Sequence, residues 1–215
     1  MAMKAVIFDL DGVIVSTDEC HYLAWKRLAD EQGIPFDRQI NHRLRGVSRM
    51  QSLQILLERS RREYTSQEKR EMAERKNQWY RQMLSSLTPR DILPGAMEVL
   101  KELKARGVKV AVGSSSKNSP LILQRIGLED FFDTTVDGND ITHSKPHPEV
   151  FQKASQRLNV GPENCLVVED AAAGVESAAS AGMKCLALGA AQGHPQAHLS
   201  AADLTAVTVD QMLAL

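Results

Sequence analysis

Apolar residues fall along the chain in two patterns that alternate. Short apolar runs at 5–8, 108–112, 165–168 and 184–188, broken only by Lys109 and Lys184, are bounded by polar or glycine residues. Runs of that length predict strands buried on both faces. A further strand is expected at 131–136, and a weaker strand and helix at the end of the chain. Between the runs the apolar period becomes helical. Ala96, Val99, Leu100 and Leu103 make one face, stopped by Gly107. Pro120 leads into a helix at 121–126, stopped by Gly127. Pro148 opens a helix with Val150, Phe151, Ala154 and Leu158 inward, and a helix at 171–181 stops at Gly182. Strands alternating with helices predict βαβ units and a parallel sheet with helices on both faces. The fold class is therefore α/β, a Rossmann-like parallel sheet.

One stretch does not fit the alternation. Residues 17–87 carry no strand signal and several helical ones. Thr17 stands where a helix cap belongs, with Asp18 and Glu19 in the first turn and Tyr22, Trp25, Leu28 and Ala29 as the apolar stripe. Gly33 closes that helix and Pro35 follows. Ser48 caps a helix with Leu53, Leu56 and Leu57 at helical spacing. Thr65 and Glu68 make a capping-box pattern. The box opens a long charged helix whose narrow stripe is Met72, Trp79, Tyr80 and Met83. The expected organisation is an α/β core of 1–16 and 88–215 with a helical domain, 17–87, inserted after the first strand.

Composition narrows the reading further. The 215 residues are 43% hydrophobic and 25% charged, with a formal net charge of −1. Those proportions suit an ordinary soluble globular protein. Without a basic bias or a basic run ordered by aromatics, nucleic-acid binding is disfavoured. Cys20, Cys165 and Cys185 lack metal-ligand spacing and read as reduced thiols of a cytoplasmic protein. Asp9 cuts the N-terminal apolar run before it can serve as a signal peptide. No stretch is long enough to span a membrane.

Polar residues gather where the apolar strands end. The first delivers Asp9 and Asp11 followed by Gly12, the second Ser114, and a later one Glu169 and Asp170. Carboxylates are costly to bury. Two of them at alternate positions of a strand can face one site, where a hard divalent cation such as Mg²⁺ relieves their repulsion. The plain alternative is a strand ending in an Asx turn. Ligands of open α/β sheets bind at the carboxyl ends of the strands. Neither G-x-G-x-x-G after the first strand nor G-x-x-x-x-G-K-[ST] is present.

F-D-L-D-G-V from Phe8, Ser114 at a strand end, Lys145 before Pro146, and V-V-E-D ending in Glu169–Asp170 resemble the four motifs of the haloacid dehalogenase (HAD) superfamily, in order. The helical insert lies where that superfamily carries its cap. T-D-E-C-H from Thr17 to His21, R-G-V-S-R from Arg45 to Arg49, E-R-K-N around Lys76 and S-S-S-K-N from Ser114 to Asn118 bring the chain closer to the β-phosphoglucomutase branch.

The resemblance implies a HAD-fold enzyme in which Asp9 is the nucleophile and forms an aspartyl-phosphate. Asp11 is then the general acid–base, and Ser114 and Lys145 stabilise the transferring phosphoryl group. One Mg²⁺ is held by Asp9, the Asp11 backbone carbonyl, and Glu169 or Asp170. Glu169 and Asp170 by themselves would read as a solvated turn. Thr17, His21, Trp25, Arg49, Lys76, Ser115, Ser116, Lys117 and Asn118 are the implied substrate-binding residues. Arg49 with Ser116, Lys117 and Asn118 would hold a second, distal phosphate; the plain reading of Arg49 is a solvated arginine. Lys76 lies four residues from both Met72 and Tyr80, on the apolar stripe, and points inward unless it snorkels. His21 stands to hydrogen-bond Asp11 or the substrate, or to be a buried structural histidine. Ser48 is structural.

The implied activity interconverts β-glucose 1-phosphate and glucose 6-phosphate through β-glucose 1,6-bisphosphate, which also primes Asp9. A sugar-phosphate phosphatase is the alternative, and a non-catalytic phosphosugar-binding protein a third. The expected partner is a small sugar phosphate and the expected state a monomer. Ser16 stands where these mutases more often have Asp, and Arg45 where they have Lys.

Overall fold

A computed structural model describes residues 3–215. Its sheet has six parallel strands: β1 (Ala5–Phe8), β2 (Lys109–Gly113), β3 (Thr134–Val136), β4 (Cys165–Glu169), β5 (Lys184–Leu188) and β6 (Leu199–Ala201). They are ordered β3-β2-β1-β4-β5-β6. The central strands are buried along nearly their whole length, which is why they read as unbroken apolar runs. Alternate residues separate the two faces. Val6, Phe8, Val110, Val112, Leu166 and Val168 join one core cluster, while Ala5, Ile7, Ala111, Cys165 and Val167 join the other.

Helices α5 (Ala96–Ala105), α6 (Ser119–Arg125) and α9 (Val209–Leu213) cover the first face, and α7 (Glu149–Leu158) and α8 (Ala172–Ser180) the second. Between β1 and α5 come α1 (Asp18–Glu31), α2 (Arg38–His42), α3 (Arg49–Leu57) and α4 (Ser66–Leu84). They enclose a cluster of their own that includes Trp25, Leu28, Phe36, Leu53, Leu56 and Met72.

Register is what assembles the site. Phe8 pairs with Val112 on one side and Val168 on the other. Asp9, Gly113 and Glu169 are therefore level across the three central strands. The order of the sheet reverses between β1 and β4, the switch point at which open α/β sheets leave a crevice beyond their carboxyl ends.

Two of the three expected caps of the inserted helices are present as reciprocal capping boxes, Ser48 with Gln51 and Thr65 with Glu68. Thr17 holds the N-cap position of α1 but makes no side-chain cap bond, because its hydroxyl is engaged elsewhere. The strand expected at 131–136 shortens to Thr134–Val136. Phe131 and Phe132 pack edge to face in the preceding turn, and Asp133 accepts from Val110 N (2.8 Å), tying that turn to β2. Helix α6 begins two residues earlier than its apolar spacing indicates. Helix α2, capped by Asp37 on Ile40 N, is too short for its period to register. All three cysteines are free. Among the described residues no helix is long and apolar enough to cross a membrane.

Candidate active site

The turn after β1 sets the first two carboxylates. Gly12 adopts φ of +87°, in the left-handed region that favours glycine. A Cβ there would overlap the Asp170 carboxylate, so glycine is what lets Asp170 approach the β1 end. Gly174 plays the same part for Glu169, whose carboxylate occupies the space a Cβ would need.

Lys145 is the pivot of the core cluster. It is fully buried, its Nζ donating to Asp9 Oδ1 (2.7 Å) and to Glu169 Oε1. Burial opposes its charge, but the two carboxylates win and hold it above the usual lysine range. The other oxygen of Glu169 accepts from Asp170 N (3.1 Å) and Ala171 N (3.2 Å). Burial, and then the Asp9 charge against the pull of Lys145, push Glu169 up to about 7. Burial also lifts Asp170, to about 8, aided by the charges of Glu169, Asp9 and Asp11. Donor atoms of Asp9, Glu169 and Asp170 all lie within 4.8 Å of one another. Three hard oxygen donors that repel one another, at a strand end kept open by Gly12, suit a divalent cation such as Mg²⁺.

The Asp11 carboxylate is outside that trio. Its oxygens accept from Thr17 N (2.5 Å) and Thr17 Oγ1 (2.7 Å). Burial raises its pKa to about 6 in spite of those two bonds. Thr17, 1% exposed, also meets Tyr80 Oη at 2.8 Å. Thr17 thus fixes Asp11 against α4.

On the far side of Asp11 the charge changes sign. His21 Nε2 lies 3.8 Å from Asp11 Oδ2, and its Nδ1 lies 2.8 Å from Lys76 Nζ. Lys76 is buried, its ammonium 4.7 Å from the Trp25 ring and 4.5 Å from the Tyr80 ring. It does not snorkel. Trp25, 2% exposed, is the wall beneath it. Burial and the Arg49 charge hold Lys76 well below the usual lysine range. Burial, Lys76 and Arg49 depress His21 in the same direction. Arg49 is lowered by burial and by Arg81, and its ion pair with Glu74, at 3.4 Å, is loose.

The loop after β2 joins the two sides. Ser114 is buried, and its Oγ accepts from Ser116 N (3.2 Å). Ser116 Oγ accepts from Asn118 N (3.2 Å), and Ser115 Oγ from Lys145 N (3.4 Å). Asn118 donates to Asn77 Oδ1 (3.0 Å) and accepts from Arg81 (3.3 Å), so α4 is bonded directly to this loop. Lys117 is exposed on the same loop. Arg45 forks onto Asp18 (3.2 and 2.7 Å), while Ser16 is exposed just before α1.

Tyr80, Asn77 and Arg81 are the polar partners that sequence reasoning missed. Tyr80 was legible only as part of an apolar stripe. Asn77 lies four residues from both Ala73 and Arg81, beside Lys76, and the spacing that turns Lys76 inward also points to Asn77.

The model for haloacid dehalogenase-like hydrolases matches residues 3–182. The chain belongs to that family. Family members similar to it include the β-phosphoglucomutase of Bacillus subtilis, 46% identical over 90% of this chain and 85% of the relative. The phosphorylated carbohydrates phosphatase of Thermotoga maritima is 34% identical, with 85% and 83% covered. The crystal structure of β-phosphoglucomutase from Clostridium difficile superposes with a TM-score of 0.92 at 37% identity, covering 97% of this chain and 95% of that one. The fold expected from the four HAD motifs, and the nearer likeness to the mutases expected from the cap motifs, are both met.

Proposed function

We propose that this chain is a phosphomutase interconverting β-D-glucose 1-phosphate and D-glucose 6-phosphate through β-glucose 1,6-bisphosphate. The observation that carries the reading is the pairing of two unlike clusters. An acid-rich nucleophile site at Asp9 lies across Asp11 from a buried basic cluster of Lys76, His21 and Arg49. A phosphatase needs the first. A mutase, whose intermediate carries two phosphates, needs both.

In this reading Lys145 holds one Asp9 oxygen and leaves the other to attack phosphorus. As the bond from phosphorus to the sugar oxygen breaks, Asp11 gives that oxygen a proton. In the reverse half-reaction a sugar hydroxyl gives its proton to Asp11 and attacks, and the bond to Asp9 breaks. A pKa near 6 suits a group that must both give and take. Ser114 and Lys145 bear on the equatorial oxygens in transfer. Asp9, the Asp11 carbonyl and Glu169 or Asp170 would hold one Mg²⁺. When bound, the ion offsets the repulsion between a carboxylate nucleophile and an anionic phosphate. Arg49, with Ser116, Lys117 and Asn118, takes the distal phosphate, and its planar fork suits two oxygens. The core of 1–16 and 88–215 carries the chemistry. The cap of 17–87 closes over the sugar and excludes water that would hydrolyse the aspartyl-phosphate. The enzyme acts as a monomer in the cytoplasm, primed by the bisphosphate.

The phosphatase relative favours a second reading, loss of the phosphoryl group to water. One assay separates them. The protein is incubated with Mg²⁺ and β-glucose 1-phosphate, with and without the bisphosphate, and glucose 6-phosphate and free phosphate are followed separately. The mutase yields glucose 6-phosphate, faster with the bisphosphate. Free phosphate in its place establishes the phosphatase.

A further inference from the structure

The loop that carries Lys145 bears a second group of donors that phosphoryl transfer does not use. His143, His147 and Glu149 each offer a ligand atom within 4.8 Å of the others. The two imidazoles lie ring to ring, centroids 4.6 Å apart. His143 is largely exposed, whereas the Glu149 carboxylate is only 15% exposed and held in place. It accepts from Thr142 N (3.1 Å), His143 N (2.8 Å) and Lys153 Nζ (2.7 Å). Its Oε2 lies 3.2 Å from His143 Nδ1, and His147 Nδ1 accepts a long bond from Glu149 N (3.3 Å). One cation, Lys153, already faces the carboxylate. The groove beside the loop is also lined by Ser48 and Gln51 of the inserted helices and by Glu176 of α8.

The geometry points to a second metal site here, for a borderline-soft divalent ion such as Zn²⁺ rather than Mg²⁺. Two imidazoles and one carboxylate are the donor set that zinc takes with an open fourth position. At metal–nitrogen bonds of about 2.0 Å, tetrahedral ligands stand roughly 3.3 Å apart. The present spread closes to that by side-chain rotation of two exposed histidines. The bonds a metal would replace are the long ones, at 3.2 and 3.3 Å. The ion would bracket Lys145 from two residues on either side, clamping the loop that delivers Lys145 to Asp9 and Glu169. The inference stands whether or not the mutase reading holds.

Zinc also binds carboxylates, so the test removes the acidic trio first. In an Asp9→Asn/Asp170→Asn background at millimolar Mg²⁺, equilibrium dialysis against Zn²⁺ should find one bound ion per chain. Adding His143→Ala or His147→Ala should weaken binding at least roughly tenfold, the loss that removing even an outer-shell partner of a ligand causes, and the pair should abolish it. Glu149→Gln, which keeps the size of the side chain, should weaken it in the same direction. Circular dichroism confirms that each protein is folded. No zinc bound in the background protein, or equal binding by the double histidine variant, overturns the site.

Discussion

The core and the inserted helices both bury a lysine, and they do so in opposite ways. Lys145 lies between two carboxylates, 2.7 Å from one of them, and is held charged. Lys76 has an imidazole nitrogen at 2.8 Å and two aromatic rings around it, and its pKa is driven down. A buried charge is stable when it is paired and costly when it is not. The core cluster therefore lacks only a cation, since three acids share one lysine. The helical cluster lacks an anion. Asp11 stands between them, bonded to Thr17, which is in turn bonded to Tyr80 of α4. Two sites of opposite need, on either side of Asp11, are what a sugar bisphosphate with a metal at one end would satisfy.

The largest effect is expected at Asp9. Asp9→Asn should abolish all phosphoryl transfer while leaving the fold intact, because the amide has nearly the same shape but is no nucleophile here. Turnover by a folded Asp9→Asn protein would remove Asp9 from its role. Asp11→Asn should lower transfer to and from sugar by roughly 10²–10⁴-fold, the usual worth of a general acid–base. Magnesium affinity should survive, since the Asp11 carboxylate is turned to Thr17 and away from the acidic trio. Collapse of magnesium affinity would make that side chain a ligand instead.

A smaller effect concerns stability. Burial pushes Glu169 up to about 7 and Asp170 to about 8, from ordinary values of 4.5 and 3.8. Between the two sets of values the folded state binds protons that the unfolded state has lost, so stability falls as pH rises. His21, depressed from 6.5, and Lys76, depressed well below 10.5, work the other way, with or without metal. The gain in melting temperature on saturation with Mg²⁺ should thus grow between about pH 6.5 and 8, as the trio gives up protons to the ion. A magnesium gain that stays constant across that range would show that the acidic trio is not held protonated without metal.

The two regions also differed in how much their residues disclosed. Strand runs such as Ala5–Phe8 are buried on both faces, so composition alone marks them, and chain order leads from them to the parallel sheet. The strand-end acids were legible for the same reason: polar residues interrupt an otherwise apolar pattern. The caps Ser48 and Thr65 were legible because capping is local. What escaped depends on contacts distant in the chain. Thr17 reads as a cap locally but bonds Asp11 and Tyr80. Asn118 reads as loop but meets Asn77 and Arg81 of α4. Phe131 and Phe132 read as strand but pack on each other in a turn, because Asp133 ties that turn to β2.

A second phosphate seated in the basic cluster of the inserted helices would depend first on Arg49. Arg49→Ala is assayed with β-glucose 1-phosphate in the primed mutase reaction, and with acetyl phosphate as a small donor to Asp9. Loss of a charge-assisted contact of about 1.5–3 kcal/mol should lower isomerisation efficiency roughly tenfold or more. Phosphorylation of Asp9 by acetyl phosphate, which has nothing to place at the distal site, should be spared. Unchanged isomerisation, or equal losses with both donors, would mean that Arg49 holds no second phosphate.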